Sequence, residues 1–413
     1  MLKLKLHWQI FISLILGVAF GYAGKIGGFT DFITEYVSIA GVLFIRALRM
    51  IVVPLIIGAI ISGITSISST ESFGRMSAKT FIYYISTTLI AVTTGLFFVN
   101  LIKPGVGFQI PVSGELPEDL NTDAGQLVET LIGIIPTNPI EAIAEGNMLP
   151  IIFFSLLFGF FILKVEDPYH STMKDFFNSL FEVMMKMTHF IIKFTPIGVF
   201  AFMSKIVAET GFSIFLPIAE YFATVVVSLA FHATITLPAL LYILAGVSPI
   251  KHFMAMTTPL LTAFSLASSS ATLPITMDSL ENKAGVSNRT TSFVVPMGST
   301  INMDGTALYE LVAAIFIAQA IGFDLTIWEQ VIAVLTALLA SIGAAGIPMA
   351  GLVMITIILS AIGLPMEGLV WIIPVDRILD MMRSSVNTWS DTVGTVIIAK
   401  SEGEKDLKVL RES

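Results

Sequence analysis

Residues 298–310 read GSTINMDGTALYE, with the apolar run TSFVVPM before them and LVAAIFIAQAIG after. The two runs have the look of one membrane-spanning helix cut in half, which would put Asn302, Asp304 and Glu310 at bilayer depth. Ionisable groups are expensive there and mark substrate or ion pathways. Composition supports a membrane setting: of 413 residues, 55% are hydrophobic and 13% charged, with mean hydropathy +0.88, whereas a soluble domain carries about 25% charged residues. Apolar blocks recur near 10–23, 39–64, 80–102, 149–163, 176–203, 212–245, 291–322, 330–362 and 368–399. Most approach or exceed the ~20 residues that a helix needs to cross the hydrocarbon. The chain therefore reads as an all-α polytopic membrane protein.

The distribution of charge sets the expected topology. No Lys or Arg occurs from Pro104 to Leu163, an interval that holds Glu115, Glu118, Asp119, Asp123, Glu129, Glu141 and Glu145 and so contains an outside loop. Lys3, Lys5, Arg75, Lys79, Lys400, Lys405, Lys408 and Arg411 mark cytoplasmic segments. Both termini are then inside, and the number of full crossings is even. The opening MLKLKLHWQIFISLILGVAF has the basic start of a signal peptide, but the many spans that follow favour a first transmembrane helix. The absence of cysteine excludes disulfides, thiol catalysis and thiolate metal sites. No Walker motif occurs, which argues against ATP-driven transport. Arg46 and Arg49 read as interface anchors, and His170 and His189 lack the neighbours of a metal site.

Two segments of the second half, 253–275 and 331–359, are apolar but interrupted at their middles by SLASSSATLP (265–274) and SIGAAGIPMAG (341–351). Broken backbone at membrane depth survives only when buried in protein or lining a wet cavity. Both segments read as re-entrant helical hairpins with the breaks at their tips. Each precedes a helix expected to be interrupted by polar residues, the first by NMDGT and the second by DMMRSSVNTWSD. Paired broken segments in two halves point to a transporter site near the midplane.

In the last helix, Asp376, Asp380, Arg383, Asn387 and Asp391 are spaced by 4, 3, 4 and 4 residues, which places them on one face. Each charge at depth costs about 2.5–3.5 kcal/mol, so this face must meet protein. One reading is a structural ion pair between Asp380 and Arg383. The other is a site for an acidic α-amino acid, with Asp380 for its ammonium, Arg383 for its distal carboxylate, and Ser384 and Asn387 as further polar groups. A guanidinium can hold a carboxylate bidentately. Donors at the broken tip, Ser269 and Ser270 especially, suit the remaining α-carboxylate. Asn302 and Asp304, in a helix expected to be loosened by Gly298 and Gly305, offer an oxygen-only cage that suits Na⁺.

SSSATLP, GSTINMDGTALYE, SIGAAGIPMAG and LDMMRSSVNTWSD resemble the four signature regions of the glutamate transporter family, the dicarboxylate/amino acid:cation symporters, in order and at similar spacing. IIPTNPIEAIAEGNMLPIIFFSLLFG (134–159) also resembles a family stretch. The resemblance implies a homotrimer of protomers with eight transmembrane helices and two re-entrant hairpins, built from inverted repeats and working as an elevator. A scaffold would comprise residues 1–75 (helices 1 and 2) and 107–208 (helices 4 and 5). A transport domain would comprise 76–106 (helix 3) and 209–400 (helix 6, hairpin 1, helix 7, hairpin 2, helix 8), followed by a cytoplasmic tail, 401–413. Carried over residue by residue, the substrate would meet Ser269, Thr306, Ile347, Gly351, Asp380, Arg383, Ser384 and Asn387. One sodium site would use Gly298, Asn302, Asn387 and Asp391; a second Thr300, Ser341 and Ile342; a third Tyr84, Thr87, Thr88, Asn302 and Asp304.

The chain also departs from the family pattern. Members supply a second site arginine where this chain has Ala267 or Met381; either Arg377 replaces it from one turn earlier or nothing does. Ser390 stands for the usual Gly in NTWSD, which bears on packing beside Asp391. Met349 and Ala344 fall at positions that vary. Proton-coupled bacterial relatives lack the acid matching Asp391, so its presence favours sodium. Glu310 stands where animal members have a Glu linked to proton co-transport and potassium return, which makes it a candidate for proton or potassium coupling; a structurally satisfied acid is the alternative. The expected function is sodium-coupled symport of aspartate or glutamate across a plasma membrane, with a prokaryotic inner membrane favoured by short tails. A proton-coupled dicarboxylate or neutral amino acid symporter, an ion channel and a membrane enzyme using Asp380 and Asp391 are the alternatives. Membrane lipid is an expected partner and nucleic acid is not.

Overall fold

The computed structural model describes residues 6–65, 71–108, 132–133, 135–145, 147–343 and 350–410. Among them every regular element is helical. The principal helices are α1 (Leu6–Gly27), α2 (Ser38–Thr65), α3 (Glu71–Ile102), α4 (Met148–Ile162), α5 (Tyr169–Ile192) and α6 (Thr195–Thr210). They continue as α7 (Phe215–Ala245), α8 (Pro249–Leu266), α9 (Leu273–Ser279), α10 (Asn288–Ile301), α11 (Asp304–Ala320), α12 (Ile327–Gly343), α13 (Ala350–Ala361) and α14 (Leu369–Ser401). Four spans among the described residues are long and apolar enough to cross a membrane: Trp8–Gly27, Arg75–Ile102, Phe215–Ala245 and Asn288–Ala320.

Apolar blocks that read as single units are divided in the structure. The 176–203 block turns at Lys193 and Phe194 between α5 and α6, and the 107–208 interval, expected to hold two crossings, holds α4, α5, α6 and the short Pro139–Glu145 helix. Hydropathy registers a continuous apolar run; it does not register a backbone turn inside one.

The helices pack in two groups. In the first, α1, α2, α4, α5 and α6 lie against one another. Lipid gives no hydrophobic drive between helices, so small residues that let backbones approach do the joining. Gly17 and Gly21, one turn apart on α1, face Phe200 and Ser204 on α6: a β-carbon at Gly17 would lie 2.8 Å from the Phe200 carbonyl oxygen, and one at Gly21 3.0 Å from the Ser204 Cα. The second group contains α3 and α7 to α14, with α12 and α13 also touching α2. At its axis lies α11, in which every residue but Gln319 is buried.

The opening motif is a break in an otherwise buried rod. Asn302 (φ −93°, ψ 88°) and Met303 (φ −115°, ψ 48°) leave the helical region between α10 and α11. The expected loosening at Gly298 and Gly305 is corrected, because both glycines lie within helices. They serve close approach instead: a β-carbon on Gly305 would sit 2.9 Å from the Arg383 carbonyl oxygen. A second correction concerns α14, which runs 33 residues without interruption. Its polar residues need no broken backbone because their face is buried against protein.

The helices α8 and α9 pack together and meet at Ala267–Ser269, with Ala267 at φ 50° ending α8. The helices α12 and α13 likewise pack together; their connection, with Ala344, Ile347 and Met349, lies outside the described residues. Beyond α14 the chain folds back. Glu402 pairs with Arg75 (2.8 Å) and Lys79 (2.6 Å). Glu404 accepts from the Ser287 amide (2.9 Å), the Lys408 amide donates to the Ala284 carbonyl (2.9 Å), and the Ser248 amide donates to that of Val409 (3.1 Å). Leu407 and Val409 are buried. Residues 402–410 of the segment expected as a cytoplasmic tail thus pack on the second group.

Hydrogen bonds from Arg75 and Lys79 hold the Glu402 carboxyl down to about 2. A depressed carboxyl contributes stability that is complete above its ordinary value of 4.5 and is lost as pH falls toward 2. Arg75 is exposed, so the contribution is small. Corrected amide exchange of residues 402–410 should therefore stay flat from about pH 8 to about pH 5 and accelerate only below it. In Glu402→Gln it should be faster throughout, and exchange equal in variant and parent would show that these pairs do not hold the segment.

Candidate functional site

The stripe on α14 faces the protein as its spacing requires, with Asp376, Asp380, Arg383, Asn387 and Asp391 all at most 5% exposed. Arg383 Nη2 donates to Asp376 Oδ1 (3.0 Å) and to Asp380 Oδ1 (2.9 Å). Its guanidinium lies 3.8 Å from the centre of the Tyr309 ring, and the Tyr309 hydroxyl donates to Asp376 Oδ1 (2.7 Å). A buried cation needs such compensation, because an unpaired one would be strongly destabilising. Arg383 Nη1 and Nε have no hydrogen-bond partner among the described residues, and a β-carbon on Gly351 of α13 would collide with Nη1. Two donors are thus left on a guanidinium that its neighbours hold in place. Arg377 Nη1 reaches Asp380 Oδ2 at 3.3 Å, so a second guanidinium does stand at this cluster, from one turn earlier.

The other proposed substrate contacts are placed unevenly. Asn387 Oδ1 accepts from the Gly305 amide (2.8 Å), one of the amides left free at the start of α11. Its Nδ2 donates to Thr306 Oγ1 (3.0 Å). Ser384 is buried. At the first tip Ser269 is buried with its hydroxyl unpartnered among the described residues, while Ser270 is exposed and donates to the Ser299 carbonyl (3.3 Å). Ile347 lies outside the described residues. Glu310 is fully buried, and neither carboxyl oxygen has a partner among those described.

Around the helix break, oxygen atoms converge from four elements. Asp304 Oδ1 accepts from Thr88 Oγ1 (2.7 Å), and Oδ2 accepts from Ser390 Oγ (2.6 Å) and lies 3.1 Å from His232 Nε2. Asn302 Nδ2 donates to Asp391 Oδ1 (2.8 Å), and Thr87 Oγ1 donates to Asn302 Oδ1 at 3.5 Å. Tyr84 donates to the Val294 carbonyl (3.0 Å). Gly298 faces the Asp391 carboxylate and the Tyr84 hydroxyl, so a β-carbon there would strike both. Ser390 supplies one of the donors to Asp304. Thr300 and Ser341 are less telling: Thr300 is exposed and bonds the Met297 carbonyl (2.9 Å), while Ser341 is buried and bonds that of Leu338 (2.8 Å). The Ile342 side chain lies outside the description. Among the described residues no three His, Asp or Glu side chains could hold a metal together. The cluster instead offers a mixture of carboxylate, amide and hydroxyl oxygens, donor types that suit a hard cation.

Sequence reasoning missed His232, Tyr309 and the part played by Asp376. His232 lies in a π-turn of α7, far in sequence from Asp304, with no acid beside it to flag it.

The family model of the sodium:dicarboxylate symporter family matches residues 6–401. The chain belongs to this family. It is 35% identical to the proton/glutamate-aspartate symporter of Escherichia coli strain K12, over 98% of this chain and 95% of that protein. It is 34% identical to the proton/sodium-glutamate symport protein of Geobacillus stearothermophilus (98% and 96% covered) and 36% identical to mouse excitatory amino acid transporter 3 (96% and 86% covered). Family membership and the apolar helices make it a multi-pass membrane protein, and its relatives are transporters rather than enzymes.

Because Gly298 has no room for a side chain, Gly298→Ala should displace Asp391 or Tyr84 at a cost of about 1–3 kcal/mol. The expected outcome is a lower thermal midpoint for the purified protein. A variant that melts with the parent would show that the two side chains can give way.

Proposed function

We propose that the protein is a secondary active symporter that carries aspartate or glutamate inward with sodium. The observation that carries this reading is Arg383, held by Asp376 and Asp380 over the Tyr309 ring with two donors left, beside the oxygen cluster at the helix break. Arg383 takes the distal carboxylate of the substrate, Asp380 its ammonium, and Ser269, Ser270, Thr306, Ile347, Gly351, Ser384 and Asn387 complete the contacts. Sodium occupies sets drawn from Tyr84, Thr87, Thr88, Gly298, Thr300, Asn302, Asp304, Ser341, Ile342, Asn387 and Asp391. The relatives named for glutamate support the substrate class, and those named for proton and sodium support ion coupling.

The transport cycle is an elevator motion of a homotrimer with eight transmembrane helices and two re-entrant hairpins per protomer. Residues 76–106 and 209–400 move against a scaffold of 1–75 and 107–208, set in the lipid of a prokaryotic inner membrane with both termini cytoplasmic. The two packing groups of the fold support this division. Uptake of labelled aspartate into proteoliposomes driven only by a sodium gradient tests the reading. Arg383→Cys should lose aspartate and glutamate uptake and gain small neutral amino acids; undiminished glutamate uptake by that variant sinks the assignment.

A proton travels with the substrate on Glu310. Its burial beside Tyr309, with no partner for either oxygen among the described residues, favours this addition, as does a relative named for proton coupling. Glu310→Gln should remove the pH dependence of net uptake and any stimulation by internal potassium, while substrate exchange persists. If the unmodified protein transports equally with internal choline or potassium, and equally at acid and neutral pH, Glu310 has no coupling role.

A further inference from the structure

A cavity of about 300 Å³ lies at the end of α3 remote from Arg75, where α3, the last turn of α11 and the start of α12 meet. Asn100, Lys103, Gln319, Asp324 and Gln330 line it, over a floor that includes Phe323. The three amides are fixed to their surroundings. Asn100 Nδ2 donates to Gln330 Oε1 (2.8 Å), and Gln330 Nε2 to the Leu325 carbonyl (3.0 Å). Gln319 accepts from the Gly105 amide (3.2 Å) and donates to the Val99 carbonyl (3.3 Å).

The two charged side chains are not fixed in this way. Among the described residues neither the Lys103 ammonium nor the Asp324 carboxylate has a hydrogen-bond or ion-pair partner, although both line one small cavity. Lys103 also has φ 54°, a region that its β-carbon disfavours, and it precedes Pro104. Glycine is the usual residue where a helix ends in that conformation. A non-glycine residue kept in a sparsely populated region is a pointer to function, and here the ammonium is what distinguishes lysine from glycine.

Opposite charges at the exposed lining of one cavity discriminate among ligands. A lone anion attracted by Lys103 is repelled by Asp324, and a lone cation meets the reverse. A zwitterion satisfies both. We propose that this cavity is a second, weak binding site for a free α-amino acid, with the carboxylate at Lys103 and the ammonium at Asp324. Among the described residues the lining carries no further charge, so the site accepts neutral and acidic amino acids alike and concentrates them at the protein surface. It goes beyond the Arg383 reading and does not require it.

Glycine is the probe, since it carries the two charges and little else. Saturation-transfer NMR on the purified full-length protein should show glycine binding, with no comparable signal from acetate or methylammonium. Lys103→Gln and Asp324→Asn should each weaken it about five-fold or more, and Lys103→Arg should keep it. Both neutral variants should also raise the apparent KM for aspartate uptake with kcat unchanged. The proposal is overturned by the absence of glycine transfer in the unmodified protein, by transfer unchanged in both neutral variants, by its loss in Lys103→Arg, or by acetate binding as well as glycine. Glycine binding lost in Asp380→Asn but kept in Lys103→Gln would move the amino acid to the Arg383 cluster and also overturn it. Failure of sodium-driven aspartate uptake would fall on the Arg383 reading, not on this cavity.

Discussion

The Asp304 carboxylate is the point on which the second helix group depends. It stands at the first turn of α11, just after the break, and is reached by Thr88 of α3, Ser390 of α14 and His232 of α7. Hydrogen bonds to a charged group contribute about 1.5–3 kcal/mol each, and all of these lie where water does not compete. An anion at a helix start also meets the positive end of the helix dipole. The break therefore carries a node that ties four helices together.

The substrate candidates and the cation candidates share parts. Asn387 reaches Gly305 and Thr306 on α11 from the same face of α14 that carries Arg383 and Asp391. Asn302 bonds Asp391 on one side and receives Thr87 on the other. A change in the position of α14 relative to the break thus alters both clusters together. Under the proposed function, this shared face links occupancy of one to occupancy of the other, since coupling requires an element that both sites bias.

The amphipathic face of α14 was legible because helical periodicity is a local property, and four spacings suffice to define it. The break at 302–303 was legible as a polar insertion in an apolar run, but its position was not. Glycine has the same letter whether it supplies a bend or a space, and Gly298 and Gly305 supply space. Asp376 was read as one more charge on a stripe; its hydroxyl partner Tyr309 is 67 residues away. His232 lies 72 residues from Asp304. Such pairs have no local signature, and composition gives them none. Arg377 was legible only as an alternative; its side chain reaches Asp380 Oδ2 at 3.3 Å.

The return of residues 402–410 along the second group bears on the order in which the protein can be made. Leu407 and Val409 fill the apolar cluster that also contains Leu237, Val286 and Val396, and Glu402 closes on Arg75 more than 300 residues upstream. Chains emerge from the ribosome N-terminus first. During synthesis the first helix group, complete by Thr210, can assemble while α3 has still to wait for its partners. The Arg75 end of α3 and the Ser287 end of α10 lack these contacts until residues 402–410 have been made, so this half of the molecule closes after α14 rather than with it.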